Sequence, residues 1–155
     1  MTPMYHLGYY GPLYLLVLAG VVWLAQHPSH MIEALIVYLT FQLAVHFINK
    51  LLKLLFKQKR PVETAADLLD GADRYGMPSG HAQMIFSQAA LVVFAAMEQR
   101  TALFILPAGV AVGWAMITAW QRVDDQRHSL AQVFVGALIG VVCAYVFMRI
   151  QMFKS

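Results

Sequence analysis

The first charged residue of the chain is Glu33, and beyond it long apolar stretches keep returning. Five segments stand out: Tyr9–Ala25, Met31–Phe56, Ala82–Met97, Thr101–Trp120 and Leu130–Ile150. A helix needs about 20 mostly apolar residues to cross a bilayer. Inside the bilayer the backbone must satisfy its own hydrogen bonds, which favours helices. The spacing therefore predicts an all-α, polytopic membrane helix bundle with about five transmembrane helices, in one membrane-embedded domain over residues 1–155. Charged residues make up 12% of the chain, against about 25% in ordinary soluble domains. The third segment is short alone and borrows the turn before it. The first carries Gly11-Pro12 and starts as late as Pro12. The N-terminus shows neither the positive start nor the small-residue cleavage site of a signal peptide, so it reads as a retained span. Gly109 with Gly113, and Gly136 with Gly140, are small pairs four apart, expected to let helices pack closely. Cys143 is the single cysteine. It permits no intrachain disulfide and suggests no cysteine-based metal site.

The connections are unequal. Residues 27–30 and 98–100 are minimal turns on one side. The other side carries a long polar loop, Lys57–Met77, and a shorter one, Gln121–Arg127. Three motifs fall on that second side. Around KLLFKQKRP, residues 53–61, Lys50, Lys53, Lys57 and Arg60 recur at helical spacing and form a cationic stripe, which Pro61 ends nearby. Such cations either snorkel to lipid headgroups or grip phosphoryl oxygens. In PSGH, Ser79 and Gly80 suit a helix N-terminus, whose free amides bind phosphate, with His81 in the first turn. In QRVDDQRHSLAQ, Arg122 precedes His128, and Gln132 lies one turn beyond His128 on the same face. The plain alternative is a charged loop in which Arg122 and Arg127 pair with Asp124 and Asp125. Histidines at a membrane edge beside several cations suit phosphoryl transfer: cations neutralise the oxygens, one imidazole attacks phosphorus and another protonates the leaving oxygen.

Read together, the motifs resemble the type 2 phosphatidic acid phosphatase superfamily of integral-membrane lipid phosphatases. That family carries a lysine, six residues and Arg-Pro; then Pro-Ser-Gly/Ser-His; then Ser-Arg, five residues, His, three residues and Asp. Lys53 with Arg60-Pro61, Pro78-Ser79-Gly80-His81, and Arg122 with His128 match in order and spacing. The resemblance implies that His128 is the nucleophile and His81 the general acid. It implies that Lys53, Arg60 and Arg122 bind the phosphoryl group, helped by Ser79 and the Gly80 amide. It also implies a metal-independent reaction with no cofactor. Gln121 stands where serine is usual, and Gln132 where the orienting aspartate is usual. The dolichyl diphosphatase branch is similar here: it has a Tyr-Gly-Met lead into Pro-Ser and a Gln at this spacing after the His. Asn49-Lys50-Leu51 also resembles that branch. The family has six spans against five here, and the missing one is expected to precede the core.

The expected activity is hydrolysis of a polyprenyl (dolichyl-like) diphosphate to the monophosphate through a phosphohistidine. Phosphatidate or phosphatidylglycerophosphate is the alternative substrate. A non-catalytic scaffold, or a transporter that kept the fold, is the alternative of another class. The expected partner is a lipid phosphate or diphosphate and not nucleic acid, and pairing with a second copy is left open. The chain is read as a multi-pass integral membrane protein. Eight cations on the working face against three opposite do not fix its orientation once the three phosphate-binding ones are set aside. His46 either touches the substrate pocket or, as favoured here, hydrogen-bonds across helices, and Tyr9, Tyr10 and Trp120 are expected to anchor at the interface. The pattern of Val62–Tyr75, with Glu63, Asp67 and Asp70 on one side, suits a short interfacial helix that gates lipid entry, against the favoured alternative of simple loop structure.

Overall fold

The computed structural model describes residue 6, residues 8–62 and residues 71–152, and among these it is helical with no strand. The proposed interfacial helix falls mostly outside the described residues. Within them, its end is a single 3-10 turn, Gly71–Arg74. The five helices are α1 (Gly11–Ala25), α2 (Met31–Phe56), α3 (Gly80–Gln99), α4 (Ala102–Asp124) and α5 (Leu130–Met152). Four of them, α2 to α5, are long and apolar enough to cross a membrane. The fifth, α1, has 15 residues, about 22 Å at 1.5 Å per residue. The chain is a multi-pass integral membrane protein.

Local chemistry sets the helix boundaries. Pro12 sits in the first turn of α1, where its missing N–H removes no bond. Helix α2 stops at Phe56 because Lys57 turns left-handed (φ 49°) while its N–H still reaches the Lys53 carbonyl at 2.9 Å. The cationic stripe therefore ends four residues before Pro61, and Arg60 reaches the site from a loop. Helix α3 starts two residues before the apolar run, at Gly80, because Ser79 caps it. Helix α4 runs past Trp120 to Asp124. This puts Arg122 on its last turn, not in the loop expected over Gln121–Arg127.

Among the described helices, α3 and α5 lie against each other most closely. Gly136 and Gly140 make it possible. A methyl on Gly136 would lie 2.6 Å from the Ser79 carbonyl oxygen, and one on Gly140 would overlap the Gln83 carbonyl oxygen. Close backbone approach then lets the Ser79 N–H donate to the Gln132 carbonyl at 3.0 Å, which ties the second motif to the third. The expectation of tight packing fails for the other pair. Gly109 and Gly113 are exposed and have no atom within 4 Å of an added methyl. Gly140→Leu is expected to lower stability by about 3 kcal/mol or more, since backbone cannot move aside. Gly113→Ala should change it by no more than about 1 kcal/mol. Thermal unfolding in detergent micelles checks both.

Candidate active site

At one end of the bundle, α2 and α4 end where α1, α3 and α5 begin. Three helix N-termini thus direct partial positive charge at the same region. The region holds a cavity of about 620 Å³ lined by Lys53, Arg60, Gly80, His81, Arg122 and His128, among others.

Helix α2 contributes one wall. Lys53 is buried there, with Asn49 one turn before it and Lys50 beside it. Asn49 Nδ2 donates to Gln83 Oε1 at 2.8 Å and to the Pro78 carbonyl at 3.3 Å, fastening α2 to the start of α3. Asp73, on the 3-10 turn, gathers the cations. Its carboxylate accepts from Lys50 Nζ at 2.8 Å and lies 3.9 Å from Lys53 Nζ. Its carbonyl accepts from Arg60 at 3.1 Å. The Lys50 bond holds the Asp73 carboxyl below the usual carboxylate range. His46 also lines the cavity, the first of the two places considered for it.

Helices α3 and α4 supply the opposite side. The Ser79 hydroxyl accepts from the Ala82 N–H at 3.4 Å, and the residue is fully buried. Ser79 therefore caps α3 and does not line the cavity, whereas Gly80 and His81 do. Arg122 is buried and donates to Gln121 Oε1 at 2.8 Å. Gln121, where the resemblance expects serine, thus braces the neighbouring arginine. Arg122 and Arg127 both line the cavity, so neither serves merely to balance the loop acids.

His128 sits just before α5, and its N–H donates to the Arg122 carbonyl at 3.0 Å. Its Nδ1 lies 3.2 Å from Gln132 Oε1. The orientation of the Gln132 amide follows from main-chain partners. Oε1 faces the Ser129 N–H, which can only donate, at 3.2 Å. Nε2 faces the Lys59 carbonyl, which can only accept, at 2.8 Å, and Gln58 Oε1 at 3.0 Å. Nδ1 must therefore carry the proton that Oε1 accepts. Nε2 is left with its lone pair, and it is the nitrogen the cavity can reach, because Gln132 is buried behind the ring and absent from the lining. Gly76 packs on the Gln132 amide, where a methyl would come within 2.7 Å.

Burial, followed by the charge of Arg60 and then of Lys53 and Arg122, pushes the His128 pKa from 6.5 down to about 3, with the Gln132 bond opposing. The ring is neutral at neutral pH. The unfolded chain takes up a proton near 6.5 and the folded chain does not until about 3. This stabilisation is complete above pH 6.5 and is lost as pH falls from there toward 3. The unfolding midpoint should drop on acidification through that window, and should drop less in His128→Asn.

The amide of Gln132 also explains why glutamine stands at this position. A carboxylate would stabilise charge on His128, but it would replace the NH2 group that donates to Gln58 and Lys59 with one oxygen that repels the Lys59 carbonyl. Gln132→Glu is accordingly expected to lower activity, by about tenfold or more, and to loosen the segment that carries Arg60. An increase in activity, measured as phosphate release, would contradict that account.

Sequence reasoning passed over Asp73 and Gln58, and it met Gly76 only as part of the Tyr-Gly-Met resemblance, with no role. All three lie in the irregular segment between α2 and α3, where no periodicity assigns them a place in the site. Among the described residues, no three His, Cys, Asp or Glu side chains gather as metal ligands.

A cationic cavity that holds His81 and His128 beside Lys53, Arg60 and Arg122, at one end of a membrane helix bundle, has the chemistry to hold an anionic headgroup. The PAP2 superfamily pattern matches residues 33–155, and the chain belongs to that superfamily. It is 34% identical over 93 residues to lipid phosphate phosphatase epsilon 2, chloroplastic, of Arabidopsis thaliana, covering 59% of this chain and 30% of that protein. It is 35% identical over 103 residues to lipid phosphate phosphatase gamma of the same plant, covering 61% and 43%. It is 33% identical over 85 residues to dolichyldiphosphatase 1 of Dictyostelium discoideum, covering 46% and 34%. The matched stretches thus span less than half of each relative. No solved structure matches the chain.

Proposed function

We propose that the chain hydrolyses a polyprenyl diphosphate to the monophosphate through a phosphohistidine at His128, without a metal. The observation that carries this reading is the fixed tautomer of His128, whose neutral Nε2 faces a cavity lined by Lys53, Arg60 and Arg122. In the proposed reaction Nε2 attacks the terminal phosphorus. The phosphorus–oxygen bond to the lipid monophosphate breaks, and His81 delivers a proton to the departing oxygen. Water then attacks the phosphohistidine, returns a proton to His81 and releases phosphate. Lys53, Arg60, Arg122 and the Gly80 amide carry the charge on the transferred oxygens. The capping hydroxyl of Ser79 holds the start of α3 in place.

Support for a diphosphate comes from the cations beyond those three. Lys50 and Arg127 also line the cavity, and a second phosphoryl group needs further positive charge. Purified protein in vesicles, with a chelator present, should release phosphate from polyprenyl diphosphate faster than from phosphatidate or phosphatidylglycerophosphate. A preference for either glycerolipid would assign the substrate to that class instead. No release from any of the three would favour a scaffold or transporter.

A further inference from the structure

The residues just before α1 lie outside the stretch that the superfamily pattern covers, yet His6, Tyr9 and Tyr10 line the cavity. These residues make a separate helical turn, closed by the Tyr10 N–H donating to the His6 carbonyl at 3.0 Å. Two glycines seat the turn against α4. A methyl on Gly8 would overlap the Gln121 side chain, and one on Gly11 would overlap the Thr118 hydroxyl. Gln121 is the immediate neighbour of Arg122 and its hydrogen-bond acceptor.

Seated there, Tyr9 meets two functional side chains from different helices. The Arg122 guanidinium carbon lies 5.6 Å from the centroid of the Tyr9 ring. The His81 ring lies 5.8 Å from the same ring. We propose that Tyr9 is a positioning residue that sets Arg122 and His81 at a fixed separation. The proposal rests on the phosphate-binding reading of the cavity. Arg122 must sit beside Lys53 and Arg60, whose like charges repel it. The negative face of an aromatic ring offsets that repulsion and restrains a flexible side chain. Tyr9 itself is 44% exposed, so its ring is not a core element whose loss would leave a hole.

Two readouts on the full chain in phospholipid vesicles test this. One is the affinity for orthovanadate, a phosphate-shaped anion, read as protection against thermal unfolding. The other is kcat and KM for phosphate release from polyprenyl diphosphate. Tyr9→Phe keeps the ring face and the main chain and should behave like the parent. Tyr9→Leu should weaken vanadate binding about fivefold and raise KM, with an unchanged unfolding midpoint in the absence of vanadate. Gly8→Val, which displaces the turn, should move both readouts the same way. Vanadate affinity in Tyr9→Leu equal to the parent's, or equally reduced in Tyr9→Phe, would overturn the proposal. If Tyr9→Leu lowers the unliganded midpoint, Tyr9→Trp decides: restored vanadate binding supports the role, and no restoration sinks it. A parent that binds vanadate but hydrolyses none of the lipids refutes the proposed activity, while the vanadate comparison still judges Tyr9. A parent that binds no vanadate refutes both.

Discussion

His128→Ala is expected to reduce phosphate release by about 10⁴-fold or more. In the proposed covalent mechanism, removing the nucleophile leaves only the binding groups, and residual rates then fall by factors of that order. The buried position of His128 makes the result specific. Its Nδ1 proton is committed to Gln132. The variant keeps Lys53, Arg60 and Arg122, so binding of inorganic phosphate should survive while turnover is lost. Undiminished turnover in His128→Ala would reassign the nucleophile.

For His81→Ala the expected loss is about 10²–10⁴-fold, the usual contribution of a general acid, and it should depend on the leaving group. A lipid monophosphate leaves as a stable anion, since its second pKa is about 6. The alcohol released from phosphatidate is far more basic and depends more on a proton at the departing oxygen. The loss on phosphatidate should therefore exceed the loss on polyprenyl diphosphate. Equal losses on both would mean that His81 holds the phosphate and does not protonate the leaving oxygen. Steady-state rates on the two lipids, in the same vesicles, measure the difference.

Much of this architecture is visible in the chain itself, because lipid imposes a simple rule on sequence. The limits of α2, Met31–Phe56, follow directly from the apolar run, and the remaining helices differ from theirs by a few residues at the ends. Those differences have local causes. Ser79 extends α3 backward, and Arg122 remains helical because polar residues end an apolar run without ending a helix. Motif spacing singled out Lys53, Arg60, Gly80, His81, Arg122 and His128, which line the cavity together with residues it did not mark, and also Ser79 and Gln132, which lie behind the lining.

What the sequence hides is the arrangement between segments. Four apart on a helix, Gly109–Gly113 and Gly136–Gly140 look alike. Only the second pair faces another helix, and no residue within either pair says so. Gln132 reads as a missing aspartate until Lys59 and Gln58, more than 70 residues earlier, are seen to accept its amide protons. Asp73 and Tyr9 carry no motif. Their places follow from a loop folding back to Arg60 and from glycines that let a turn lie on α4.

The most direct test traps the transferred phosphoryl group. Protein mixed with polyprenyl diphosphate, quenched in alkali within a turnover and mapped by peptide mass spectrometry should carry one acid-labile phosphoryl group on His128, absent from His128→Ala. Recovery of that group on His81 or any other residue, or inversion of configuration at phosphorus, would contradict attack by the nitrogen that Gln132 leaves free.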